Sequence, residues 1–439
     1  MPQKKVVEFA MLNADAAGID IGSKEHWVAV PEGRDQQPVR RFGSFTEDLH
    51  AIAAWLKQCK ITTVAMESTG VYWIPLFLVL EEYGFEVFLV NAKHVKNVSG
   101  KKTDEKDCRW IQRLHSCGLL TASFQPDLKT RELRSYIRHK KNLTQSASTH
   151  VLRMQKAFEQ MNVKLHHVIT DITGKTGTKI IEAIIAGQRD ATELAKFADG
   201  RIRQSKKEFI IKSLQGNWRE EHLFELKQSF ELYQFYQSKI RECDLEIQKI
   251  VSQYLPPEKT TSELKQLVEE KKKESVVTQY LRMIFGVDVT EIWGIKENAA
   301  IELLSEVGAD MSKWRTEKHF VSWLGVAPNS KISGGKIISS KIPKKQNKAG
   351  QLFRMIAYTI QRSDHWLAVF YRRMKAKGGT KKAIAATARK LAIIFYKMVK
   401  NKESFKPIDK EVYEQQYKEQ RIKWLEKQAL KLGGTLTFG

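Results

Sequence analysis

Cysteine is scarce in this chain. Four thiols, Cys59, Cys108, Cys117 and Cys243, stand among 439 residues, and no two form a Cys-x-x-Cys pair. That spacing excludes a zinc ribbon and a disulfide framework and leaves ordinary reduced thiols. Long apolar runs are missing too. None reaches the roughly 18 residues that a membrane span needs, and no secretory leader is recognisable. These absences predict a cytoplasmic protein with no membrane partner. Proline is absent from 127–255, so nothing there forbids long helices. Acid is short relative to base: 50 Asp and Glu face 74 Lys and Arg, a formal net charge of +24 with a pI near 9.6. So basic a balance favours a phosphate backbone as partner. What is present in quantity is apolar side chain, 42% of the residues, enough for the cores of two or three domains.

Four of the acids are spaced as a two-metal phosphodiester site needs them. Asp20 lies in Gly18-Ile19-Asp20-Ile21-Gly22, and Glu67 in Met66-Glu67-Ser68-Thr69-Gly70. Asp104 and Asp107 lie three apart in Lys102-Thr103-Asp104-Glu105-Lys106-Asp107, so a helix puts both on one face. A single Asp before a glycine usually only makes a turn; the combination carries the argument. Convergent carboxylates suit hard cations such as Mg²⁺, and such ions can stabilise both oxygens of an in-line displacement at phosphorus.

The surrounding pattern predicts strands at 16–22, 26–30 and 39–45 and a helix over 46–57. A strand at 61–65 delivers Glu67 just past its end. A helix over 71–83, stopped by Gly84, leads to a strand at 85–90 and then an acid-bearing helix. Residues before 16 read as a loosely ordered leader. Three strands, helix, strand, helix, strand is the ribonuclease-H-like order, with the acids at strand ends where open α/β sheets build sites. From Leu223, the residues Leu226, Phe230, Tyr233, Ile240, Ile247, Val251 and Tyr254 keep three-and-four spacing, which predicts a coiled-coil arm used for dimerisation. The charged stretch 256–274 reads as a solvated linker or continued helix. The fold class is therefore α/β plus α. Residues 1–126 form the ribonuclease-H-like domain, 127–279 a helical coiled-coil region, 280–402 a mainly helical third domain, and 403–439 a tail.

Two basic regions stand out. Arg131, Arg134, Arg138 and Lys141 recur at helical spacing with Glu132 almost the only compensating acid nearby, which favours phosphate contact over a merely solvated face. Between Lys331 and Lys402 the only acid is Asp364. Lys331, Lys336, Lys348, Arg389 and Lys390 there are read as nucleic-acid contacts. Ser333 sits before Gly334-Gly335, where backbone can approach a ligand closely. By spacing alone it reads as a loop residue, and nothing near it supplies a general base.

Together these segments resemble the bridge-RNA-guided DEDD transposases of insertion sequences. The first half of the resemblance rests on Gly-Ile-Asp-Ile-Gly, Met-Glu-Ser-Thr-Gly-Val-Tyr at 66–72 and Lys-Thr-Asp-Glu-Lys-Asp. The second half rests on Leu-Gly-Val-Ala-Pro at 324–328, Ser333-Gly334-Gly335-Lys336, Asn347-Lys348-Ala349-Gly350 and Ala388-Arg389-Lys390-Leu391-Ala392. The resemblance implies a DNA recombinase with a RuvC-like domain and a serine transposase domain. It implies that Asp20, Glu67, Asp104 and Asp107 hold Mg²⁺, that Ser333 forms a phosphoserine link to DNA, and that target and donor DNA are paired by a structured guide RNA. It further implies a homodimer or tetramer whose protomers share the site. The extra length relative to compact members lies at about 165–275 and after Asn401. A RuvC-like junction nuclease using activated water, and a nucleic-acid-binding scaffold without catalysis, are the rival readings.

Overall fold

In the computed structural model, residues 11–91, 103–200, 204–254, 275–342 and 347–435 are described. The charged stretch 256–274 and the first ten residues lie outside them. The chain divides into two compact units, Met1–Gln125 and Pro126–Gly439.

Alternating apolar residues build the first unit. The strands are β1 (Ala16–Ile21), β2 (Glu25–Ala29), β3 (Val39–Gly43), β4 (Thr63–Glu67) and β5 (Glu86–Val90), in sheet order β3-β2-β1-β4-β5. The β1–β2 and β2–β3 pairs are antiparallel, while β1–β4 and β4–β5 are parallel. One sheet face carries Ile19, Ile21, Val28, Val64, Met66 and Leu89. It is covered by α1 (Thr46–Gln58) and α2 (Trp73–Glu82) through Ile52, Leu56, Leu76 and Leu80. The opposite face carries Ala65 and Val90 and packs on Ile111 of α3 (Asp104–Ser116). Glu67 is the last residue of β4 rather than a residue beyond it.

Two long helices frame the second unit, as the missing prolines allow: α4 (Leu128–Gln160) and α9 (Glu220–Ser252). They run antiparallel, since the Lys129 ammonium donates to the Gln253 carbonyl at 3.0 Å and His150 stacks on Tyr236 with ring centroids 5.5 Å apart. The seam expected to dimerise is therefore filled within the chain. Leu226 and Phe230 share a buried core with Met154 and Phe158, and Ile247 and Val251 are buried as well. Between the long helices lie α5 (Leu165–Val168), α6 (Lys175–Ile185), α7 (Ala191–Ala195) and α8 (Gln204–Ser213).

The segments 127–279 and 280–402 belong to the same unit. After α10 (Val276–Phe285), α11 (Glu297–Val307) packs on α4. Next come α12 (Glu317–Trp323), the hairpin β6 (Lys331–Ser333) and β7 (Lys336–Ser339), then α13 (Lys348–Thr359) and α14 (Trp366–Asn401). α14 is broken at Gly378 and Gly379. Phe285, Phe320, Phe353 and Phe395 form the core here, with Phe395 within 5.6 Å of Phe285 and 5.8 Å of Phe353 between centroids. The final helix, α15 (Lys410–Lys431), buries no residue.

Candidate active site and nucleic-acid surface

The acids are placed by strand register and by one close approach. Ile19 pairs with Met66 across the parallel β1–β4 ladder, so one step further Asp20 stands beside Glu67. Side chains alternate along a strand. Ile19 and Met66 enter the α1–α2 core, so Asp20 and Glu67 face the α3 side. Gly18 shares that face. A Cβ there would lie 2.2 Å from the Gln112 amide nitrogen and 2.5 Å from the Cys108 carbonyl oxygen, so only glycine lets α3 lie this close. The Gln112 side-chain Nε2 donates to the Ala16 carbonyl at 3.3 Å. Advancing along β1 from Ala16 to Gly18 thus retreats along α3 from Gln112 towards Cys108. The next position on that face, Asp20, therefore lies towards the N-terminal end of α3, whose first turn carries Asp104 and Asp107.

Electrostatics agree with this placement. Burial pushes the Cys108 thiol up to about 12, and the negative charge of Asp20 adds to the effect. Thr103 caps α3 by accepting from the Lys106 amide, and acids in a first helical turn favour the helix dipole. Asp104 is exposed, while Asp20, Glu67 and Asp107 are half-buried. Glu105, between Asp104 and Asp107, pairs instead with Arg109 at 3.5 Å. The four carboxylates are not drawn into one tight cluster: among the described residues, the one group of three potential ligands with atoms within 4.8 Å of one another is Glu159, His166 and His167. An all-oxygen set still fits Mg²⁺, which is bound through one or two carboxylates and keeps several waters.

Ser333 sits at the tip of the β6–β7 hairpin, opposite Lys336. Gly334 and Gly335 have φ of +54° and +72°, the two left-handed positions of a tight hairpin turn. Ser333, Lys331 and Lys336 are all exposed, as are Ile332, Ile337 and Ile338. Lys348 is exposed in the first turn of α13, whose Asn347 cap accepts from the Gly350 amide at 2.8 Å. Arg389 and Lys390 line a cavity of about 460 Å³ with Phe370, Met374, Lys382 and Ser340. Lys390 lies over Phe370 at 4.8 Å, and burial lowers its pKa.

The α4 stripe has a different use. Arg134 donates to the carbonyls of Ser305 and Glu306, both at 3.0 Å, and Arg138 donates to both Glu306 carboxylate oxygens at 3.1 Å. Lys141 pairs with Glu302. These three cations dock α11 on α4, which corrects the reading of an uncompensated stripe. Their acids come from a segment no local pattern links to α4. Arg131 is half-buried in the same face. The sequence reading also missed the polar layer under the sheet, where His115 bonds Thr63 at 2.9 Å and Gln112 bonds Ser116 at 2.9 Å. Polar residues on the sheet-facing side of α3 were the available signal.

Residues 17–163 match a DEDD transposase family of the IS110 type, described as Transposase. Residues 288–372 match a second, described as Transposase IS116/IS110/IS902 family. The two matches cover just over half of the chain, in the order in which the acids and Ser333 occur. No curated protein matches the chain.

Proposed function

The chain belongs to the IS110-type transposases and acts on DNA, and on that premise we propose that it cuts and rejoins DNA through a covalent phosphoserine intermediate on Ser333. The N-terminal unit is read as ribonuclease-H-like. The observation that supports the reading is the β1–β4 register, which sets Asp20 beside Glu67 on the sheet face packed by α3, the helix that carries Asp104 and Asp107. Asp20, Glu67, Asp104 and Asp107 would hold Mg²⁺, which when bound stabilises charge developing at a phosphodiester.

The Ser333 hydroxyl oxygen attacks phosphorus. An O–P bond to serine forms, the P–O3′ bond breaks, and the departing 3′ oxygen takes up the proton that serine gives up. A 3′-hydroxyl of a new partner strand then attacks the phosphoserine and restores the serine. Bond energy is kept in the ester, so rejoining needs no nucleotide cofactor. The exposed hairpin tip suits a nucleophile that must reach a polymer. Lys331, Lys336, Lys348 and Arg389 are assigned to nucleic acid. The positive balance and the resemblance to guided transposases support a structured guide RNA as second partner and assembly as a dimer or tetramer.

Nicked DNA substrate with Mg²⁺ should trap a protein–DNA adduct that survives denaturation. Ser333→Ala should abolish it, and Asp20→Asn should slow its formation at least about 100-fold, the scale of losing one preorganised electrostatic group. Free 5′-phosphate ends without adduct, or an adduct persisting in Ser333→Ala, would overturn the serine step in favour of hydrolysis by water. Sequencing of co-purified nucleic acid tests the guide: a mixture with no dominant structured RNA would count against it.

A further inference from the structure

Outside the residues assigned above, one cluster of the second unit has the chemistry of a transition-metal site. Glu159 lies in the last turn of α4, and His166 and His167 lie in the short helix α5 that follows. The Nε2 atoms of His166 and His167 stand 2.9 and 2.7 Å from the same carboxylate oxygen, Glu159 Oε1. Each of the three residues offers one ligand atom, all within 4.8 Å of one another. Lys164 pairs with the other oxygen, Oε2, and so leaves Oε1 to the imidazoles.

The turn that brings them together is built, not incidental. Asn162 adopts a left-handed φ of +56°, and the Val163 amide returns to the Phe158 carbonyl at 2.8 Å. That is the bonding of a helix closed by a left-handed residue. Val163 and Leu165 on either side of Lys164 are fully buried. The Lys164 amide bonds the Ser213 carbonyl at 2.7 Å, and the Asn217 amide bonds Met161 at 2.8 Å, so two later segments brace the turn. Ligands held this way lose little freedom on binding.

We propose that Glu159, His166 and His167 bind one divalent transition ion of the zinc type, clasping the end of α4 to α5. Two imidazole nitrogens and one carboxylate oxygen are the donor set that borderline cations prefer, and Mg²⁺ does not. Metal–ligand distances of about 2.0–2.2 Å in a tetrahedron require donor atoms about 3.3–3.5 Å apart. The observed 2.7 and 2.9 Å need to open by only about half an ångström. His166 has a side chain 12% exposed, whereas His167 is 62% exposed, so the cluster is open to solvent on one side for entry and for a water ligand.

The untagged full-length chain, stripped by chelator and kept in excess Mg²⁺ to occupy carboxylate sites, is titrated with Co²⁺ and then with Zn²⁺. A visible Co²⁺ absorption band saturating at a single equivalent and displaced by Zn²⁺ is expected, together with a Zn²⁺-dependent rise in melting temperature. His167→Gln, at an exposed position that the fold does not need, should weaken binding about tenfold or more, and the double His166→Gln/His167→Gln variant should abolish the band. Asp20→Asn should retain it, which separates this site from the DNA-cutting acids. Absence of the band in the unmodified chain, or its survival in the double variant, would overturn the proposal.

Discussion

His115 shows how much the acid-bearing sheet depends on a polar residue beneath it. Its ring is 1% exposed, and its Nε2 bonds the Thr63 hydroxyl, which itself donates to the Glu86 carbonyl. Thr63 has spent its proton, so the imidazole is the donor in that pair. Burial pushes the imidazole pKa down to about 4. The unfolded chain takes up this proton near the ordinary value of about 6.5. Between those values the unfolded state holds more protons, so stability falls as pH drops from about 6.5 towards 4 and the loss levels off below. The whole effect is of the order of a few kcal/mol. His26, also lowered by burial, acts in the same direction. Urea unfolding of His115→Gln between pH 7 and 4.5 should show a visibly shallower decline than the unmodified chain. Equal slopes would remove His115 as the source.

At the scale of elements, Glu306 is the clasp between α4 and α11. Its side chain is 10% exposed and meets both Arg134, 15% exposed, and Arg138, 48% exposed. Glu306→Gln would leave Arg134 buried with only carbonyl partners. Breaking a buried pair costs about 3–5 kcal/mol. The retained carbonyl bonds and the half-exposed Arg138 reduce the expected loss to about 1–3 kcal/mol. Denaturant unfolding measures it, and a change below about 0.5 kcal/mol would mean that apolar packing alone holds α11. The same pair marks what was legible in the sequence. The strands, the register-setting alternation and the acids at strand ends follow local periods, and the sheet carries them where those periods indicate. The stripe on α4 was equally legible as a stripe. Its partner in Glu306 lies 168 positions from Arg138, and no helical or strand period spans that distance. The seam on α9 failed for the same reason: the pattern shows that a face must be covered but not by what, and α4 of the same chain covers it.

For the whole molecule the question is which of its many cations meet DNA. Total charge does not decide this, because Arg134, Arg138 and Lys141 are already paired inside the second unit. In the segment from Lys331 to Lys402 the lone acid, Asp364, is itself neutralised by Lys410 at 2.7 Å. Lys331 and Lys336 beside Ser333, and Lys348 at the start of α13, remain exposed. A helix N-terminus adds to the attraction for phosphate at Lys348. Each phosphate contact contributes about 0.9 to the slope of log affinity against log salt on duplex DNA. Replacing Lys331, Lys336 and Lys348 together by Gln should therefore flatten that slope by up to about 2.7, whereas Arg134→Gln should leave it unchanged. Binding isotherms between about 50 and 200 mM salt span a wide enough affinity range to resolve such a difference. The opposite pattern, a slope reduced by Arg134→Gln and indifferent to the three lysines, would move the DNA surface from the hairpin and α13 back to α4.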